Sequence, residues 1–214
     1  MGKFASLAGA AIALGLIVSP AAADLQQDVA VCNGDVAGAS LDQKIASCTA
    51  VVESVRYNGT NLGYVYVNRA NAYDDKGDHD RALSDYNRSI ELNPNNASAY
   101  FNRALTYARK ADYDRAINDY NRAIALNPKY AHAMVGRAVM YSVKGDYDTA
   151  IANCNQAITI EPTYVPAYLN RGRAWAKKND LQKALADFKK VVELDPSNQV
   201  GQQELANAKK ALGQ

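Results

Sequence analysis

The sequence predicts an all-α protein in which tandem helix–turn–helix units stack into a solenoid. Three observations predict it. Pro94, Pro128, Pro162 and Pro196 stand 34 residues apart, and a 34-residue period is that of a two-helix repeat. The residues between the prolines recur in columns of large and small side chains. Those columns are spaced to share one face of a helix.

The first 23 residues differ from the rest. Lys3 precedes an apolar stretch from Leu7 to Val18, then Pro20 and the small residues Ala21-Ala22-Ala23. The stretch is too short to span a bilayer as a helix, and the layout is that of a signal peptide cleaved near Ala23. Export to a periplasmic or secreted location is therefore expected, with a retained membrane anchor as the alternative. No later segment is apolar enough to span a membrane, so none is expected after cleavage.

Residues 24–62 form a degenerate helical cap and linker. Leu25 to Asn33 is its first short helix, Gly34 to Ser40 a loop, and Leu41 to Ser54 its second helix. Within the second, Lys44-Ile45-Ala46-Ser47-Cys48-Thr49 parallels Ala150-Ile151-Ala152-Asn153-Cys154-Asn155 further on. Arg56 to Leu62, with the turn signal Asn58-Gly59, is the linker. Export places the three cysteines in an oxidising compartment. Cys154 falls at a repeat core position, so Cys32 and Cys48 are expected to pair.

Four copies of the repeat follow, at 63–96, 97–130, 131–164 and 165–198. The fourth position holds Tyr66, Tyr100, Met134 and Tyr168; the eighth holds Ala70, Ala104, Ala138 and Gly172. Tyr73, Tyr107, Tyr141 and Trp175 form the eleventh column, and alanines 82, 116, 150 and 184 the twentieth. Tyr86, Tyr120, Cys154 and Phe188 form the twenty-fourth, and Ser89, Ala123, Ala157 and Val191 the twenty-seventh. Small residues let the two helices approach, and rings fill the space between them. Each proline ends a second helix, because its ring and missing N–H forbid a helix interior. A single repeat cannot bury its own apolar face, so the stack stabilises the set. Residues 199–214 supply the closing lid, a capping helix with Val200, Leu205, Ala208 and Leu212 on its apolar side.

This order of large, small, aromatic, small, aromatic, small and proline resembles the tetratricopeptide repeat, across the 136 residues from 63 to 198. Met134, Cys154 and Ser89 depart from the pattern. The resemblance implies a right-handed α-solenoid whose first helices line a concave groove. Positions two, five, nine, twelve and thirteen of each copy would face a ligand. They include Tyr64, Val67 and Asn71 in the first copy, and Phe101, Leu105 and Arg109 in the second. His132, Val135 and Val139 follow in the third, and Leu169, Arg173 and Lys177 in the fourth. The groove is apolar at its centre, acidic at its first end through Asp74-Asp75, and basic at its last. Such a surface suits another protein's peptide or amphipathic helix; self-association through the same face is the alternative. One subgroup of the family clamps chaperone C-termini with two asparagines and three cations. Asn71 and Asn102 match its asparagines, but Val67, His132 and Gly136 stand where cations belong, so that clamp is incomplete.

Arg69, Arg103, Arg137 and Arg171 recur at the seventh position, with Asp85, Asp119, Asn153 and Asp187 at the same period. A basic stripe for carboxylates and an internal ladder both fit; the ladder is the reading adopted. Asn68, Asn102 and Asn170 before three of the arginines are expected to bond across repeats. The formal net charge of +2, from 24 basic and 22 acidic residues, gives no basic excess for a nucleic-acid partner. No nucleophile motif, phosphate loop or metal spacing points to an enzyme, and no cofactor is implied. His79 is expected at the surface, and the acids around it on a solvated face.

Overall fold

A computed structural model describes residues 20–54 and 58–214 of the chain. Those residues form eleven α-helices and no strand. They are α1 (Pro20–Asn33), α2 (Leu41–Glu53), α3 (Gly59–Asp75), α4 (His79–Leu92), α5 (Ala97–Arg109) and α6 (Tyr113–Leu126). Then come α7 (Ala131–Val143), α8 (Tyr147–Ile160), α9 (Val165–Lys177), α10 (Leu181–Leu194) and α11 (Gln199–Ala211). The fold is an all-α solenoid.

The turn inside each helix pair is built the same way four times. The N–H of Asp78, Asp112, Asp146 and Asp180 reaches back to the carbonyl of Tyr73, Tyr107, Tyr141 and Trp175 at 2.8–2.9 Å. The preceding residue takes a left-handed conformation, at Gly77 (φ 85°), Ala111 (φ 58°), Gly145 (φ 83°) and Asn179 (φ 62°). This satisfies the carbonyls at the end of the first helix. The same aspartates then cap the second helix, each carboxylate accepting the backbone N–H three residues on.

The prolines stand beyond the second helices, which end two residues earlier. The backbone N–H groups of Asn96, Tyr130, Tyr164 and Asn198 donate to the carbonyls of Asn93, Asn127, Glu161 and Asp195. Each proline is thus the second residue of a four-residue turn, where its fixed φ is pre-set. The residue before it leaves the helical region, as the proline ring requires.

Packing follows the columns. Tyr86, Tyr120, Cys154 and Phe188 are all buried, with the alanines of the twentieth column beneath them. A methyl group on Gly172 would stand 2.7 Å from the Phe188 ring, and one on Gly136 would stand 2.6 Å from Tyr120. Those approaches explain glycine at both positions.

The arginine ladder is internal. Arg69, Arg103 and Arg171 each hold a carboxylate of their own second helix through Nε and Nη2, at 2.6–2.9 Å. Their Nη1 atoms reach the preceding unit, at Thr49, Asn87 and Asn155. Each guanidinium therefore ties three helices together. The rings of Tyr66, Tyr100 and Tyr168 lie 5.4–5.6 Å from these guanidinium carbons, adding cation–π attraction.

α1 and α2 behave as a unit of the same array. Thr49 meets Arg69 as Asn155 meets Arg171. Lys76 pairs with Asp42 as Lys110 pairs with Asp80. The Cys32 and Cys48 sulfurs are bonded, in a core with Val51 and Val65, whereas Cys154 is a free, buried thiol. Burial pushes the Cys154 thiol up to about 12.

Three expectations change. α1 already includes Pro20 to Asp24, ahead of the expected Leu25. The expected signal peptide lies outside the described residues up to position 19. The linker ends sooner than expected: α3 starts at Gly59, so Gly59 to Leu62 are helical, while residues 55–57 lie outside the described residues. Third, Asn68 and Asn102 bond across units, to Asn33 and Asn71, but Asn170 donates to Pro166 within its own helix.

Candidate functional site

α3 touches α5, α5 touches α7 and α7 touches α9, while among the described residues the second helices make no comparable contacts with one another. The first helices are thus crowded together and the second helices splayed. An array built this way curves, with α3, α5, α7 and α9 on its inner face.

On that face the candidate residues separate. Tyr64, Arg109, His132, Arg173 and Lys177 are exposed. Asn71, Phe101, Leu105, Val139 and Leu169 are half-buried. Val67, at 7% exposed, and Val135, at 5%, are core residues instead. Val67 packs in a cluster with Ala70 and Ala99, and Val135 in one with Ala131 and Ala167. Neither presents a side chain to a partner. Val143 does, at 54% exposed.

The acidic end is also not as expected. Asp74 is 8% exposed and is paired with both His79 Nδ1, at 2.7 Å, and Arg109. His79 is accordingly half-buried rather than a free surface group. At the other end Arg173 Nε is paired with Glu204 of α11 at 2.8 Å. Two of the three expected cations are therefore neutralised within the chain.

Asn71 and Asn102 meet, but each uses the other. Asn71 Oδ1 accepts from Asn102 Nδ2 at 3.0 Å and from the Tyr86 hydroxyl at 2.6 Å. With Val67 buried and Gly136 against Tyr120, no cationic clamp for a terminal carboxylate is assembled here.

A row of rings was not anticipated. Phe101 lies 4.9 Å from Tyr130, Tyr130 lies 6.4 Å from His132, and His132 lies 4.5 Å from Tyr164, centroid to centroid. Tyr130 and Tyr164 occupy the cap positions of α7 and α9 and make no side-chain cap bond. Asn96 and Asn198 hold the equivalent positions before α5 and α11 and do cap them. Losing such a cap costs about 1 kcal/mol. The signal was present in the sequence as two tyrosines in a column otherwise asparagine. Burial raises both phenols above the ordinary tyrosine value, so neither carries charge near neutrality.

Comparison with known proteins bears on this surface. A TPR repeat model matches residues 70–111, and tetratricopeptide repeat models match 97–130, 131–164 and 165–198. No curated protein matches the chain. The second TPR domain of human RPAP3, solved with the HSP70 peptide SGPTIEEVD, is 32% identical, with a TM-score of 0.51. That match covers 53% of this chain and 94% of the other. MamA is 26% identical over 79% of this chain and 94% of its own, with a TM-score of 0.67. A tetratricopeptide repeat protein from Parabacteroides merdae shares the fold at a TM-score of 0.76 and 18% identity, covering 89% of this chain and 74% of its own.

Proposed function

The chain belongs to the tetratricopeptide repeat family, and we propose that it is an exported scaffold whose inner face holds a segment of a partner protein. One observation carries the reading. The residues of the eighth, twentieth, twenty-fourth and twenty-seventh columns are buried in all four copies, whereas the inner face differs in every copy. Phe101, Tyr130, His132 and Tyr164 there form a row of exposed and half-exposed rings, and Val143 is exposed at the other end of α7, none with a structural duty common to the repeats. Apolar patches of this kind mark contact surfaces. The RPAP3 domain, solved with a peptide, supports the mode of binding. The ligand class differs, because the charges of a carboxylate clamp are missing here.

Export rests on the apolar stretch before Ala23 and is supported by the Cys32–Cys48 bond, which an oxidising compartment preserves. Amino-terminal sequencing of the protein from the cell envelope tests it, a start near Asp24 being expected.

The binding reading is tested with His132→Glu combined with Val143→Glu. Both side chains are exposed, so the fold is retained, and partners captured by the native protein are expected to be lost. Retention of every partner would sink the reading. Light scattering across a concentration series identifies the case in which the captured partner is a second copy.

A further inference from the structure

The third unit breaks the arginine ladder at one place. In the other three, Arg69, Arg103 and Arg171 grip a carboxylate with Nε and Nη2 together. Arg137 meets Asn153 instead. The amide Oδ1 accepts from Nε at 2.7 Å, while its Nδ2 turns away to donate to the Thr149 carbonyl at 2.8 Å. Nη1 donates to Asn121 Oδ1 of α6 at 2.6 Å. Among the described residues Nη2 finds no acceptor, and it is not sealed from water. The tyrosine ring beside the guanidinium in the other copies is also gone, because Met134 replaces it and packs into the core.

The neighbouring helices have no spare carboxylate to bring here. α7 carries no acid. On α6, Asp114 is taken by Lys144 and Asp119 by Arg103. On α8 the one acid, Asp148, is taken by Lys178. Asp112 and Asp146, which precede α6 and α8, cap those helices. A half-buried guanidinium is thus left with two amide oxygens and no counter-charge, and burial lowers its pKa.

We propose that the third unit takes its counter-charge from outside the chain: a carboxylate enters between α6 and α8 and accepts from Arg137 Nη2. A carboxylate is what this same nitrogen holds in the three sister units. A bond between two charged groups is also roughly twice as strong as one between neutral groups. The entrance lies on the side of the splayed second helices, so this site is independent of the inner face. An acidic side chain of a partner and a free small acid share the required chemistry.

The arginine Nε–Hε signals of the full chain test it by NMR. Acetate and a blocked Gly-Glu-Gly peptide are titrated near neutral pH, against sodium chloride of equal ionic strength. The Arg137 signal is expected to move and saturate, with half-saturation on the order of 10 mM for a single charge-assisted bond, while that of Arg103 stays still. An Arg137 signal that neither probe moves, or that chloride moves as far, overturns the proposal. So does a stronger response to phosphate than to acetate. Asn153→Asp supplies the missing carboxylate internally and is expected to abolish the response; a response as large as that of the native chain also overturns the proposal. The native titration decides by itself if that variant folds poorly. Peptide binding at least tenfold tighter than acetate supports a partner's side chain as the source, and equal affinity supports a free small acid.

Discussion

Arg103 on α5 and Asp119 on α6 are joined by two parallel bonds, Nε to Oδ2 and Nη2 to Oδ1, each 2.7 Å. Both groups are largely shielded from water, and Arg103 also reaches Asn87 of the preceding unit. In the third copy the same arginine position, Arg137, faces Asn153 and has Met134 where the other copies have tyrosine. Burial lowers the Arg137 pKa, whereas the aspartate partners raise those of Arg69 and Arg171 through their side-chain bonds. Removing Asp119 leaves a shielded guanidinium without its counter-charge, so Asp119→Ala is expected to cost about 3 kcal/mol. Asn153→Asp is expected to stabilise the chain by about 1 kcal/mol, the net worth of a charge-assisted bond over a neutral one. Urea unfolding of the two variants beside the native chain checks both signs.

Ala111 occupies a left-handed turn position that two other copies fill with glycine. An alanine there brings its Cβ toward the following carbonyl. Ala111→Gly is expected to stabilise by about 1 kcal/mol, after allowing for the greater freedom of glycine in the unfolded chain. The same change at Ala108, inside α5, is expected to destabilise by a similar amount. A pair of thermal melts distinguishes the two positions.

The four capping aspartates predict an acid limit. The pKa values of Asp78, Asp112, Asp146 and Asp180 lie below the 3.8 of an ordinary aspartate. The side chain three residues on lowers each one most, and that residue's backbone N–H next. A depressed folded value means that stability is present above the unfolded pKa and is lost as pH falls through the folded one. The urea midpoint is expected to be level between about pH 5 and 7 and to fall below about pH 4. Replacing all four by asparagine, which caps comparably, is expected to flatten that fall. An equally steep fall in the quadruple variant would assign it to other carboxylates.

The Cys32–Cys48 bond closes a sequence separation of 16 residues, worth about 3 kcal/mol in the chain-entropy model. In a solenoid each unit touches only its neighbours. Cys32→Ser with Cys48→Ser is therefore expected to speed hydrogen exchange in α1 and α2 and to leave α7 to α10 unchanged. Uniform loss of protection along the chain would mean that the array unfolds as one unit.

How much of this was readable beforehand differs by residue. The columns recur because each unit meets the same neighbours, so repetition alone identified Ala82, Tyr86 and Asp85 as internal. The match of Thr49 to Asn155 was readable for the same reason, and Arg69 and Arg171 use these two residues alike. What helical position could not supply is the side chain presented by the next unit. Val67 and Val135 point toward the inner face by register, yet Ala99 and Ala167 of the following copies close over their clusters. Asp74 reads from the sequence as a solvated acid, yet Arg109, 35 residues on, pairs with it. Tyr130 and Tyr164 stand before a helix rather than on it, outside the columns that helical register defines. Their role depends on contacts with Phe101 and His132 that only the stacking creates.

Photo-crosslinking in the native envelope tests the inner face most directly. A photoreactive residue is placed at His132 or Val143 on that face, and at Asn118 or Lys189 on the exposed sides of α6 and α10. The account predicts one partner protein crosslinked from positions 132 and 143 and none from 118 and 189. Crosslinks to the same partner from 118 and 189, with 132 and 143 silent, would contradict it.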